Sequence, residues 1–398
     1  MKSLDTSQQR SQALDALRGL VMVLMALDHV RDYFHISAFL YDPVDLDQSS
    51  PAVFLTRWIT HFCAPVFVWL AGTSAWLYGR KHGMAKLRNF LLTRGLWLIV
   101  LEFTVVNFAW YFQPSFNLMM LGVIWAIGVL LLVLAALSYM QPRFLLAIGL
   151  ALIFGHNLLD GISVQGSGWE AIAWAILHQM QSFELGHFSL FVAYPLLPWL
   201  GIGIIGYVAG GWFAPAFPAE LRLRWLSNTG YLAIGMFVVL RLSDVYGEPT
   251  PLVFYDMEVY SFLSLLNTTK YPPSLLFTLM TLGPAMLLLA WFSKNEAALE
   301  RPLKMLSSIG RVPLFFYVMH IYLIHLLAML AAELTGFGWQ SMRLDIWVNY
   351  AEQLQGYGFS LGVTYLIWVG VVAGLYPACI WWGKMKKQYA HRWWMQYL

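Results

Sequence analysis

The sequence predicts an all-α, polytopic integral membrane helix bundle of about ten transmembrane helices, with both termini cytoplasmic. Three observations carry that expectation. The 398 residues are 59% hydrophobic and only 11% charged, with a mean hydropathy of +0.62, against about 25% charged residues in soluble domains. Ten segments approach the length of about 20 mostly apolar residues that a helix needs to cross the hydrocarbon core. Lys and Arg sort onto alternate loops, which fixes direction. No stretch has the composition of a soluble domain, so residues 1–398 read as a single transmembrane domain with short loops.

The elements follow in order. The opening "MKSLDTSQQRSQALDALRGL" lacks the basic-apolar-cleavage order of a signal peptide; Asp5, Asp15 and Arg18 interrupt it, so it is expected to be retained. The spans are expected at 14–35, 58–79, 89–110, 117–139, 143–159, 193–213, 228–243, 274–293, 311–333 and 359–382, the fifth and seventh being the weakest. Segment 169–181 ("WEAIAWAILHQMQ") is amphipathic and too short to cross, which places it at the interface. Loops 36–57, 244–273 and 334–358 are aromatic and acidic rather than Gly/Ser-rich, as ordered lids are.

With ten spans, Lys2, Arg10, Arg80, Lys81, Lys86, Arg88, Arg143, Arg222, Arg224, Lys294, Arg301, Lys304, Arg311, Lys384, Lys386, Lys387 and Arg392 fall on one side. The opposite loops carry carboxylates such as Asp42, Asp45, Asp47, Asp244, Glu248, Asp256 and Glu258. The cation-rich side is cytoplasmic. Cys63 and Cys379 then sit near opposite faces and are not expected to pair. No basic patch with interleaved aromatics points to nucleic acid.

Direction gives each intramembrane polar residue a depth. In "RGLVMVLMALDHVRDYFH" (18–35), Arg18 lies near the cytoplasmic end. His29 follows eleven residues later, about 16 Å along the axis. Eleven residues make close to three turns, so Arg18 and His29 share a face with Met22 and Met25 between them. Asp32 continues the stripe, and Asp28 can pair with Arg31 at i,i+3. His61, Glu102, Asn107, His156, Asn157, Asp160, His320 and His325 come from other segments and converge on the outer half. Ionisable groups in a membrane are costly and usually face a cavity or one another. Several at matched depth imply a polar chamber open to the outside.

Simpler roles stand beside this one. Asp28, Arg31 and Asp32 fit interfacial residues at a helix end equally well, and His61 fits one too, or a group that orients a ligand. Glu102 would serve simply to neutralise a neighbour such as Arg57. His325, roughly 140° around its helix from His320, fits a hydrogen-bonded structural histidine. No pair of residues shows metal-ligand spacing, so no metal is expected.

The stretch "LDALRGLVMVLMALDH" resembles the first helix of the transmembrane acyltransferases, and more closely that of the bacterial relatives of heparan-α-glucosaminide N-acetyltransferase. "HFCAPVFVWLAGTSA" (61–75), "YPLLPWLGIGIIGYVAG" (194–210) and "GRVPLFFYVMHIYLIH" (310–325) fit the same family, so the likeness spans most of the chain. The resemblance implies transfer of an acyl group, acetyl by preference, from cytosolic acyl-CoA to an acceptor across the bilayer. That acceptor would be a sugar, glycan or glycolipid hydroxyl or amine, and the location a bacterial cytoplasmic (inner) membrane. By motif, Arg18 matches the helix-1 arginine and His29 the catalytic histidine, while His35 competes for that role in the following loop. His61 falls where the heparan-type enzymes carry an acid.

On this reading Arg18, Arg88 and Arg94 would pair with the phosphates of acetyl-CoA, its arm rising along Met22 and Met25. His29 would act as general base or transient acyl carrier, with Asp28, Asp32 or Glu102 supporting it. His320 or Tyr317 would contact the oxyanion or acceptor. Two rival classes remain at this stage: a proton-coupled transporter or flippase without covalent chemistry, and a scaffold whose polar residues only join helices.

Overall fold

The computed structural model describes residues 12–396; Asp5 and the expected cytoplasmic cations Lys2 and Arg10 lie outside the described residues. The chain is mostly helical. Its helices are α1 (Gln12–Phe34), α2 (Pro51–Thr60), α3 (Cys63–His82), α4 (Met84–Leu101), α5 (Asn107–Tyr111), α6 (Val123–Leu137), α7 (Pro142–Gly155) and α8 (Trp169–Leu177). They continue as α9 (Leu196–Ala209), α10 (Ala219–Ser243), α11 (Glu258–Leu266), α12 (Leu275–Lys294), α13 (Glu300–Gly310), α14 (Pro313–Leu334) and α15 (Leu361–Gln388). Among the described residues, eight helical stretches are long and apolar enough to cross a membrane: 51–82, 84–111, 142–159, 196–213, 219–243, 275–294, 313–334 and 361–388. α1, which carries Asp15, Arg18, Asp28, Arg31 and Asp32, and the 15-residue α6 fall outside that set.

The structure departs from the sequence reading in four places. A small sheet interrupts the all-α expectation: β1 (Leu118–Leu121), β2 (Gln181–Leu185) and β3 (Phe188–Val192) lie in the order β1-β3-β2, with β1–β3 parallel and β2–β3 antiparallel. The apolar run "LMML" suits a strand as well as a helix, and Asn107 decides it by donating to the Leu118 carbonyl and accepting from the Met120 N–H. The span expected at 193–213 starts only at Leu196, because Pro195 caps α9 and Pro198 lies in its first turn, where a missing N–H costs little. Third, α10 runs for 25 residues, where a short, weak span was expected. Finally, 58–79 is divided by a turn at His61–Phe62 between α2 and α3.

Hydrogen bonds between distant residues fix the helix directions around α1. Asp28 accepts from Arg57 and Thr60, whereas Arg18 donates to Ser74, so α2 and α3 run antiparallel to α1. Arg311 reaches Asp15 and His320 reaches His29, so α14 runs parallel to it. The Trp368 indole donates to the Val23 carbonyl and the Phe359 N–H to the Phe34 carbonyl, which makes α15 antiparallel. The ends of α3 and α15, with their Arg and Lys residues, therefore gather around the start of α1.

The start of α1 crosses α13 at van der Waals limits. A Cβ on Gly19 would lie 1.9 Å from the Leu306 carbonyl oxygen, and one on Gly310 would lie 1.9 Å from that of Asp15. Only 22% of the apolar windows of 142–159, 219–243 and 361–388 is buried inside the protein, as expected for faces that lipid covers. The long segment after α10 is ordered. The guanidinium of the fully buried Arg241 donates to the carbonyls of Thr250, Ser264, Leu265 and Asn267.

Candidate active site

A cavity of about 2310 Å³ runs the length of α1. Leu14, Asp15 and Arg18 line it at one end, Met25, His29 and Asp32 further along, and Ala38, Tyr41 and Asp42 beyond the end of the helix. The shared face expected for Arg18, Met25 and His29 is thus a cavity wall. Met22 lies apart from that wall and is fully buried in the core.

At the Arg18 end the lining is cationic: Arg80, Lys81, Arg94, Arg222, Arg311, Lys384 and Lys387. Arg18 itself bonds Asp15 (3.0 Å), the Gly310 carbonyl (3.2 Å) and Ser74 (2.9 Å). Such a mouth suits a polyanionic ligand such as a phosphorylated head group. Arg88 is exposed and off the lining, one turn from the wall that Leu91 and Arg94 form.

His29 sits where the cavity meets a second charged cluster. Its ring is edge-on to Trp110, with centroids 4.7 Å apart, and nearly parallel to His320, at 13°. His29 Nδ1 lies 2.7 Å from His320 Nε2, and His320 Nδ1 lies 2.9 Å from the Phe316 carbonyl oxygen. A carbonyl only accepts, so His320 Nδ1 carries the hydrogen and its Nε2 is the acceptor. His29 Nδ1 must then be the donor, which leaves the unshared pair of neutral His29 on Nε2. These tautomers follow from the hydrogen-bond chain. Among the described residues nothing occupies His29 Nε2, and the residue borders the cavity. His320 is wholly buried behind it and stands off the cavity lining. Tyr317 does line the cavity, 6.5 Å from His29 between ring centroids.

The carboxylates lie elsewhere than on His29. Asp28 takes both oxygens to Arg57 Nη1 (2.7 and 2.6 Å), accepts from Thr60 (2.8 Å) and pairs with Arg31 at 2.9 Å. Asp32 pairs with Arg31 at 2.6 Å. Lys270, from the loop before α12, comes within 4.0 Å of Asp28. Burial alone would raise the phenol of Tyr271, but the adjacent Lys270 and Arg57 outweigh it and hold it below its ordinary value. Glu102 does not neutralise Arg57. It opens a π-helical turn, Glu102–Val106, and its Oε2 accepts from the Trp125 N–H (2.7 Å), capping α6. Its Oε1 has no partner and lies 2.7 Å from where a Cβ on Gly122 would be, so a larger residue there would have to displace the carboxylate.

His35, His61 and His325 stand off the cavity lining. His35 caps a short 3₁₀ turn, with Nδ1 2.6 Å from the Ser37 hydroxyl. His61 is buried against Phe277, its Nδ1 unpartnered. His325 touches the Ala109 and Met342 carbonyls, a structural arrangement. Among the described residues no group of three or more His, Cys, Asp or Glu could hold a metal ion. Sequence reasoning missed Lys270, although it is the only Lys or Arg between 244 and 273 and so stands out in an otherwise acidic loop.

The family model described as "Heparan-alpha-glucosaminide N-acetyltransferase, catalytic" matches residues 10–240. No curated protein matches the chain.

Proposed function

The chain belongs to the heparan-alpha-glucosaminide N-acetyltransferase catalytic family, and from that premise we propose that it moves an acetyl group from cytosolic acetyl-CoA to a sugar amine or hydroxyl, with His29 as general base. The membrane N-acetyltransferase activity is the family's; donor, acceptor class and the role of His29 are this reading's. Ten crossings, the eight apolar stretches with α1 and α6, would put both termini in the cytoplasm of a bacterium, with the protein in its inner membrane.

The observation that carries the reading is the hydrogen-bond chain from His29 through His320 to the Phe316 carbonyl, which leaves His29 Nε2 open on a cavity with a cationic mouth. The phosphates of acetyl-CoA would sit among Arg94, Arg222 and Lys384, and its arm would follow Met25 upward. The acceptor nitrogen or oxygen would attack the thioester carbon while His29 Nε2 takes its proton. The carbon–sulfur bond then breaks, and the thiolate leaves as CoA–SH with that proton. During the step the positive charge on His29 would be shared with His320 through the 2.7 Å contact.

The test is transfer of labelled acetyl from acetyl-CoA in membranes carrying His29→Ala, His35→Ala or His61→Ala. His29→Ala is expected to lose about 100-fold or more in rate, with the other two near wild type. Near-normal turnover by His29→Ala refutes the base, and label retained on the protein would make His29 an acyl carrier instead. Proton-coupled uptake with no acetyl-CoA turnover would replace the enzyme with a transporter.

A further inference from the structure

We propose that the outer half of the cavity selects acceptors that carry an anionic group, a carboxylate or a phosphate, and that Lys270 is the residue that reads it. The proposal rests on the acetyl-transfer reading for its substrate and deepens it.

The buried cluster beside His29 is out of balance. Arg31, Arg57 and Lys270 face two carboxylates, Asp28 and Asp32. Asp28 is already saturated by Arg57, Arg31 and Thr60. Lys270, with a side chain 9% exposed, reaches it only at 4.0 Å. Its ammonium lies 5.0 Å from the centroid of the Tyr271 ring, and Lys270 lines the cavity. Arg31, at 2% exposure, has Nε and Nη1 without partners. A buried cation with unmet donors is costly unless something pairs with it. Asp28 meets Lys270 only at 4.0 Å while it holds Arg57 and Arg31 more closely, so one positive charge in the cluster is left for an anion of the ligand.

The loop is built to hold Lys270 there. Glu248 accepts from the Thr269 N–H (3.0 Å) and hydroxyl (2.6 Å) and from Ser274 (2.5 Å), which clamps the chain on both sides of the lysine.

The experiment compares three amines on the full-length protein in membranes at fixed ionic strength: glucosamine, glucosamine 6-phosphate and muramic acid, whose lactyl ether carries a carboxylate. Wild type is expected to favour at least one anionic acceptor over glucosamine by about tenfold or more in kcat/KM. Preference for muramic acid identifies a carboxylate, and preference for glucosamine 6-phosphate a phosphate. Lys270→Met should bring the ratio close to one, while Lys270→Arg keeps it. Lys270→Gln, which stays polar but carries no charge, repeats the test if the methionine variant does not fold. Equal kcat/KM for all three in wild type, or an anion preference that survives in Lys270→Met or Lys270→Gln, overturns the proposal. Thermal stabilisation of the purified protein by the same sugars without acetyl-CoA separates the two readings. If nothing is acetylated, the transferase reading fails. Stabilisation by an anionic sugar that Lys270→Met abolishes still upholds the anion site, and absence of any such stabilisation overturns it.

Discussion

Replacing His320 tests the catalytic geometry more sharply than replacing His29, because His320 touches neither donor nor acceptor. It lies behind His29, fully buried, with its Nε2 2.7 Å from His29 Nδ1. His320→Ala leaves the His29 Nδ1–H without an acceptor and removes the group that shares the charge when Nε2 is protonated. A hydrogen bond to a charged partner is worth about 1.5–3 kcal/mol. If that difference is expressed only when His29 becomes an imidazolium, kcat falls about 10- to 150-fold, while KM for acetyl-CoA stays near wild type because the cationic mouth is untouched. His320→Gln, whose side-chain oxygen can accept the same hydrogen, should recover part of the loss. Initial rates of labelled acetyl transfer over a range of acetyl-CoA concentrations read both parameters. An unchanged kcat in a folded His320→Ala protein would refute the reasoning, as would a rise in KM alone, since either result would detach His320 from the proton transfer.

Two further outcomes follow from packing and charge. Gly19→Ala and Gly310→Ala each push a methyl to 1.9 Å from a backbone oxygen across the α1–α13 crossing. Overpacking of this kind costs about 1–3 kcal/mol, so both should lower the melting temperature, and the double variant should lose less than the sum. Beyond α7, Asp160 accepts from His178 at 2.9 Å and from Asn157 at 2.7 Å. Burial would raise its carboxyl, but these hydrogen bonds outweigh burial and hold it below the ordinary 3.8. A depressed folded value means that the stabilisation is complete above 3.8 and is lost as pH falls through the folded value. The melting-temperature gap between wild type and Asp160→Asn should therefore be constant at higher pH and close on acidification; a gap independent of pH would contradict the assignment.

How much of this was legible in the sequence depended on the range of the forces involved. The stripe from Arg18 to His29 is a matter of helical period, and the structure lays both residues on one cavity wall. The Asp28–Arg31 pair is an i,i+3 contact and was equally readable. The order of 244–273 announced itself by composition, though not the means, which is one buried guanidinium bonded to four carbonyls. By contrast, the partner of His29 is 291 residues away and that of Asp28 is 29 residues away on another helix. Neither distance leaves a periodic trace. The sheet escaped because four apolar residues do not discriminate strand from helix, and the deciding bonds come from Asn107, eleven and thirteen residues earlier.

These long-range contacts change the argument about His29 as well as its details. The sequence places Asp28 and Asp32 beside it and suggests a carboxylate partner. The structure commits both carboxylates to arginines and gives His29 a neutral imidazole whose only use is to accept one hydrogen and pass the polarity to a carbonyl. A carboxylate would hold a fixed counter-charge against His29 throughout the cycle. A neutral acceptor responds in proportion to the charge that develops, which is the property that lowers a barrier without tightening the ground state. The carboxylates meanwhile anchor Arg57 and orient Lys270. One turn of α1 therefore serves two tasks: Asp28 organises the cations that would receive the acceptor, and His29, the next residue, would take the acceptor's proton.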